Sequence, residues 1–463
     1  MSAPASALAC AGCGAPAAAS APPPFRCARA GAGDDVDHLL RRWLDPEQVE
    51  YPLGAEANPF LRYRTLLHSY HAARARGESD AAYVARVERL DRAVAAVDGR
   101  GFRVTPFAAA DRLAAALGLD AGQLWVKDET GNVSGSHKAR HLMGVLLHLE
   151  GAAVAPADAG APRLAIASCG NAALAAAVLA RAAGRPLDVF VPPWAHERVL
   201  ERLVALGARL ETCERSPGVA GDPCYHRFRA AVAAGAIPFC CQGPDNGLTI
   251  EGGATLAWEL IDAFGARPLD RLFVQVGGGA LASACALGFA DAVRLGRLAR
   301  APRLHAVQTA GGHPLARAYD RLLARLLARL PGAPEGAEAR ADFVLAHAAP
   351  ELLREELSHA AGHRSRFMWP WESEPQSLAT GILDDETYDW LAVVEAMLAT
   401  GGYPLVVGEA TVAEAHRLGR ETTGIDVDPT GTAGLAGLIH LLAAGVSLRD
   451  DSVAILFTGA RRG

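Results

Sequence analysis

From Leu124 onward the chain alternates short apolar runs with longer amphipathic ones. The runs at 124–127, 163–167, 187–191, 209–213, 237–241, 271–276 and 303–308 read as strands. The segments between them, 137–149, 171–183, 196–206, 223–234, 250–264 and 280–295, repeat their apolar positions with helical spacing. Such alternation predicts parallel sheet with right-handed crossovers. Upstream, 37–118 reads as mostly helical, with amphipathic runs near 60–75 and 81–97 and Thr105-Pro106-Phe107 as punctuation. Downstream come Leu405-Val406-Val407, a helix from about 409, and a closing strand, Val453-Ala454-Ile455-Leu456-Phe457. The Ala/Gly/Pro-rich stretches 151–162 and 331–341 predict surface loops.

Composition narrows the class. A chain of 463 residues suggests two or three domains, and 51% hydrophobic with 21% charged residues suits a large-cored soluble enzyme. The net charge of −6 is scattered, with no basic stripe for a phosphate backbone, which argues against nucleic acid. No apolar run is long enough for a bilayer span. The Ala/Pro-rich residues 1–24 lack a basic start, and Ala7-Leu8-Ala9-Cys10 only loosely imitates a lipoprotein signal, so a cytoplasmic location is expected. Nine cysteines, several within apolar segments (Cys169, Cys285, Cys240-Cys241), imply reduced thiols. Residues 1–36 form a separate leader. Its Cys10-x2-Cys13 and Cys27 lack a fourth ligand where Ala30 stands, and nothing in the sequence singles out His38 to replace it. A ribbon without its metal is the expectation, because structural zinc takes four ligands.

Four segments carry candidate chemistry, all at strand-to-helix turns or strand ends. Lys138 closes the Gly/Ser-rich turn Ser134-Gly135-Ser136-His137-Lys138, where small side chains let a flat ring approach an amine able to form a Schiff base with pyridoxal phosphate (PLP). Ser168-Cys169-Gly170-Asn171-Ala172 leads into a helix whose free N–H groups suit a carboxylate. Gly277-Gly278-Gly279-Ala280-Leu281 can cradle a phosphate, and its pattern is neither G-x-G-x-x-G nor a P-loop, which favours a monophosphate cofactor. Thr458 ends the last strand with a hydroxyl placed to meet a ring nitrogen. Each segment alone would also serve as an ordinary capped turn.

Together and in this order, the four segments resemble the fold-type II PLP enzymes, a group that includes threonine synthase, serine and threonine dehydratases, cysteine synthase and tryptophan synthase β. The resemblance runs from about Asn58 to Gly463. Within the group, Asn58-Pro59-Phe60-Leu61-Arg62-Tyr63, Lys127-Asp128-Glu129, Lys138-Ala139-Arg140, Glu251-Gly252 with Thr255 and Glu259, and Asp428-Pro429-Thr430-Gly431-Thr432-Ala433 look most like threonine synthase. The leader looks like the zinc-ribbon-like start of some such synthases. The resemblance implies an α/β fold of two domains, each an open, mostly parallel sheet flanked by helices, with the active site between them. Residues 37–135 with 249–463 would form the large PLP-binding domain and 136–248 the smaller one. It implies Lys138 as the Schiff-base lysine, Asn171 at the cofactor's ring hydroxyl, Gly277, Gly278, Gly279, Ala280 and Leu281 at its phosphate, and Thr458 at its ring nitrogen. Ser168, Cys169 and Ala172 would flank the substrate carboxylate. A homodimer is also implied.

His137 before the lysine, His141, Cys169, Ala172 and Ala280 depart from the threonine synthase pattern. Ala280 leaves main-chain donors intact, whereas His137, Cys169 and Ala172 touch the substrate side. A threonine synthase must also bind the phosphate of O-phosphohomoserine, for which Lys127 and Arg140 are candidates; a salt bridge with Asp128 or Glu129 is their alternative role. His363-Arg364-Ser365-Arg366-Phe367-Met368-Trp369-Pro370-Trp371 reads equally as a lid or an interface patch. Three functions follow: a threonine synthase-like lyase or synthase, a serine/threonine dehydratase or β-replacement enzyme, and a non-catalytic PLP-binding regulatory protein.

Overall fold

The computed structural model describes residues 4–17, 24–31, 33–152, 162–215, 221–265 and 268–462. In chain order its strands are β1 (Ser6–Cys10), β2 (Leu40–Leu44), β3 (Phe107–Ala109), β4 (Leu124–Asp128), β5 (Leu164–Ala167), β6 (Leu187–Val191), β7 (Arg209–Thr212), β8 (Ile237–Pro238), β9 (Arg271–Gln275), β10 (Arg303–Thr309), β11 (Leu405–Val407) and β12 (Val453–Phe457). They form a six-stranded sheet ordered β11-β10-β9-β12-β4-β3, a four-stranded sheet ordered β7-β6-β5-β8, and a hairpin-like pair, β1-β2. Both larger sheets are parallel except for edge strand β3, which runs antiparallel to β4.

Central strands β9 and β12 are buried along their whole length, as expected for parallel strands covered on both faces by helices. One apolar core runs through both sheets. Helix Lys138–Gly151 crosses helix Thr249–Phe264 at two glycines. A Cβ on Gly144 would lie 2.9 Å from Gly252 Cα, so the close crossing requires their bare backbones. The strands at 107–128 and 271–457 share one sheet and those at 164–238 the other.

The strand–helix alternation between 124 and 309 appears as predicted, with ends shifted by a residue or two. The exception is 237–241, which stays strand only for Ile237–Pro238. The Asn246 amide donates to Pro238 O at 2.6 Å, and the chain turns away after Phe239. Thr105-Pro106-Phe107 leads into an edge strand, β3, where a proline N–H is not missed. The loop predicted at 331–341 gives way to helix Ala337–His347. Of the loop predicted at 151–162, residues 153–161 lie outside the described residues. The aromatic segment 363–371 is anchored internally, with the Arg317 guanidinium 3.6 Å from the Trp369 ring centre and 5.2 Å from that of Trp371. No helix among the described residues is long and apolar enough to cross a membrane.

Candidate active site

The loops that follow β4, β5, β9 and β12 carry the four predicted segments, at the carboxyl ends of parallel strands where α/β sheets present their ligand sites. After β4 the chain makes a strained turn. Ser134, at φ 56°, is the one non-glycine residue with positive φ among the described residues, and Gly135 follows at φ 71°. The surroundings hold this geometry. Ser134 N–H donates to Asp98 at 2.9 Å, the Arg462 guanidinium donates to Ser134 O, and Ala460 N–H donates to Gly135 O at 2.9 Å. Lys138 begins the helix that follows.

The last strand clamps this turn. His137 N–H donates to Thr458 O at 3.1 Å, so the lysine segment and the end of β12 are directly joined. The Thr458 hydroxyl accepts from Gln275 Nε2 at 2.7 Å, leaving its own proton to donate elsewhere. Asn171 lies across from Gly459, where an added Cβ would come within 2.5 Å of its Nδ2, and its Oδ1 accepts from Arg462. Lys138, Thr458 and Asn171, far apart in sequence, are thus gathered about one corner.

The glycine loop closes the opposite side. Gly279, at φ 95°, turns the chain into helix Ala280–Arg294, whose first N–H groups have no partners within the helix. The Gly278 N–H faces the Asp384 carboxylate, so the cradle already attracts an anionic group. Burial pushes Asp384 up to about 6, against the pull of Lys138 and of that N–H. Burial likewise raises Asp389 to about 8, with Lys138 again acting against it. These two carboxylates therefore link the glycine loop to the lysine. Burial, then the Lys138 charge, holds both His137 and His141 below the usual histidine range, His141 at about 3, so both imidazoles are neutral.

Between these walls, Ser168, Cys169 and Ala172 are half-buried at the start of helix Asn171–Ala182. A Cβ on Gly170 would meet nothing within 4 Å, so the turn borders open space. Burial, reinforced by Asp222 and Asp384, raises the Cys169 thiol to about 11, which keeps it protonated and unsuited to act as a nucleophile.

Two predicted residues lie elsewhere. Lys127 and Arg140 are buried in a closed ion-pair network. Arg140 grips Glu129 through Nε at 2.8 Å and Nη2 at 2.9 Å, and Glu259 through Nη1 at 2.6 Å. Lys127 pairs with Glu259 and donates to Thr105 O at 2.7 Å. Burial alone would raise Glu259, but Arg140 and Lys127 outweigh it and hold its carboxyl low. The network ties the lysine helix to β4 and to helix Thr249–Phe264. Arg140 thus makes the salt bridge with Glu129 that was its alternative role, and the burial of both side chains in this network argues against their holding a substrate phosphate.

Asp222, Asp384 and Asp389 were not among the residues the sequence pointed to. Asp222 did carry a signal, as an Asp-Pro pair opening helix Pro223–Ala233. Asp384 and Asp389 arise from an irregular segment that has no periodicity to read.

Residues 100–459 match the family model described as pyridoxal-phosphate dependent enzyme, and the chain belongs to that family. Its alternating sheets and helices are those of the fold-type II members. Among curated proteins, threonine synthase of Methanocaldococcus jannaschii is 23% identical over 77% of this chain and 74% of its own length. That of Methanosarcina acetivorans is 25% identical over 77% and 74% respectively. Among solved structures, maize serine racemase superposes with a TM-score of 0.57 at 18% identity, covering 81% of this chain and 94% of its own. The residues present fit the cofactor: an anion-attracting glycine cradle, a lysine at a helix start, and a hydroxyl with its proton to give.

Proposed function

We propose that this PLP-dependent enzyme removes the Cα proton of an amino acid and then eliminates or replaces a β- or γ-substituent, in the manner of a threonine synthase-like lyase. The observation that carries the reading is the joining of the Lys138 turn to Thr458 through the His137 N–H. When bound, PLP supplies an electron sink for the charge left on Cα. Lys138 would hold the cofactor, and its amine, once released beside Cα, would take the proton. Asn171 would meet the ring hydroxyl, and Gly277 to Leu281 the phosphate. The Thr458 hydroxyl would donate to the ring nitrogen without protonating it, which favours expulsion of a leaving group over transamination. The N–H groups at Ser168–Ala172 would receive the substrate carboxylate.

A second reading, dehydratase or β-replacement activity on an amino acid with an uncharged side chain, is favoured by one observation. Asp222 and Asp384 act on Cys169, while Lys127 and Arg140 are committed to the buried network. A phosphorylated side chain would approach like charges there.

The test is to load the purified chain with PLP and assay phosphate release and threonine formation from O-phosphohomoserine, and ammonia with 2-oxo acid from serine and threonine. Turnover of O-phosphohomoserine supports the first reading, and 2-oxo acid alone supports the second. A chain that binds PLP and converts none of these would sink both and favour the regulatory alternative.

A further inference from the structure

Cys10, Cys13, Cys27 and His38 converge in the leader, with one ligand atom from each lying within 4.8 Å of all the others. Cys13 Sγ is 3.7 Å from Cys27 Sγ, and Cys10 Sγ is 3.4 Å from His38 Nδ1. A tetrahedron built on ordinary Zn–S and Zn–N bonds has edges of roughly 3.4–3.8 Å. These separations suit donors around one small cation, and no disulfide joins the thiols.

Local backbone explains how the donors meet. Gly14 N–H donates to Cys10 O at 2.9 Å, closing a tight turn that brings Cys13 back beside Cys10. Past Cys27, the Arg29 N–H points at Cys27 Sγ at 3.4 Å, a second turn of the same kind. A fourth ligand at Ala30 would complete the usual spacing, and alanine has no donor. The pairing of β1 with β2 supplies one instead. Cys10 is opposite Leu40, and Ala11 N–H donates to Leu39 O at 2.8 Å, so the residue just upstream, His38, is delivered to the cysteines.

His38 is also oriented as a metal ligand requires. Its Nε2 lies 2.7 Å from Asp34 Oδ2, which fixes the tautomer with the proton on Nε2 and leaves the Nδ1 lone pair facing the cysteine group. A carboxylate behind a histidine is the common outer partner of a ligating imidazole.

We propose that Cys10, Cys13, Cys27 and His38 form a closed structural site for a divalent, borderline-soft cation, zinc above all. Zn²⁺ would bind three thiolates and one neutral imidazole, releasing three thiol protons and leaving no open position for catalysis. The expectation of a metal-free ribbon rested on Ala30, and the donor missing there is supplied by His38, just ahead of β2. The site fastens the leader to the body of the protein. Gly247 N–H donates to Phe25 O at 2.9 Å, Asp37 N–H to Ala361 O at 2.7 Å, and Ser365 N–H to Asp35 at 2.7 Å. Leu39, next to His38, sits against Gly243, which also faces Asp389 near Lys138. The inference is independent of the reaction catalysed.

The test uses the full chain, purified under reducing conditions without a polyhistidine tag and passed over chelating resin. Elemental analysis should find one zinc per chain in the wild type and in His38→Cys, which keeps four ligands, and a loss of zinc in Cys27→Ser and His38→Ala. Asp34→Asn should weaken zinc against a chromophoric chelator by about 10–100-fold, the usual cost of removing an outer-shell partner. The visible band of bound PLP checks that each variant is folded. Cobalt(II) in place of zinc should give intense tetrahedral ligand-field bands and thiolate charge transfer in the intact chain, a readout that survives should Cys27→Ser not fold. Wild type that neither carries nor takes up zinc, zinc content unchanged in His38→Ala, or a cobalt spectrum without thiolate charge transfer would each overturn the site.

Discussion

The backbone N–H of His137 donates to the carbonyl of Thr458 at 3.1 Å, tying the residue before the lysine to the residue that ends the last strand. Because the bond is made by main-chain atoms, the Thr458 side chain can be changed without loosening the lysine turn. Thr458→Val should therefore keep PLP bound and the protein folded, yet slow turnover by about tenfold, the value of one hydrogen bond. Steady-state kinetics beside a thermal melt would check this. An equal loss of stability and activity would place the hydroxyl's role in the fold instead.

Arg140→Met should cost about 3–5 kcal/mol of stability, because it leaves Glu129 and Glu259 buried without their shared partner. Chemical denaturation would register the loss. A residue that held substrate phosphate would instead raise KM and leave the unfolding midpoint in place.

Asp384 gives a pH signature. Its carboxyl is raised to about 6 in the folded chain from an ordinary 3.8, so between those values the native state holds more of its proton than the unfolded state does. Its contribution to stability therefore falls as pH rises through that window. Asp384→Asn should remove this part of the pH dependence. At neutral pH it should also tighten PLP binding by about tenfold or more, since a like charge leaves the phosphate cradle. That gain should shrink as pH falls below 6, where the wild-type carboxyl becomes neutral. A wild type and variant with parallel pH profiles would contradict this role for Asp384.

Gly279→Ala forces a Cβ into a backbone of φ 95°, 3.0 Å from Thr387 Cγ2. The expected cost is about 1–3 kcal/mol of stability, with weaker binding of PLP. Titration with pyridoxal, which lacks the phosphate, separates the effects: its binding should change less than that of PLP if the loop holds the phosphate.

What could be read in the sequence depended on how locally each residue's role is set. Lys138, Gly277 and Thr458 stand at strand ends, where strand, turn and helix signals lie within a few residues of each other. Asn171 likewise opens a helix directly after β5. For Arg140 the salt bridge with Glu129, 11 residues away, was one of the two roles its spacing offered, whereas its other partner, Glu259, is 119 residues away on another helix and beyond local spacing. His38 was hidden for a similar reason: it reaches Cys10 across 28 residues through a strand register that the leader's spacing does not encode. Asp384 and Asp389 lie in irregular chain, so only the packing of that chain on the glycine loop shows their place.

In the proposed function Lys138 anchors the cofactor at the corner it shares with Thr458 and the glycine loop. Visible absorption of wild type and Lys138→Ala, each mixed with PLP and freed of excess, checks that anchor. A lysine-bound PLP band is expected in the wild type and should be absent from a folded Lys138→Ala protein. The same band, undiminished in the variant, would contradict Lys138 as the anchor.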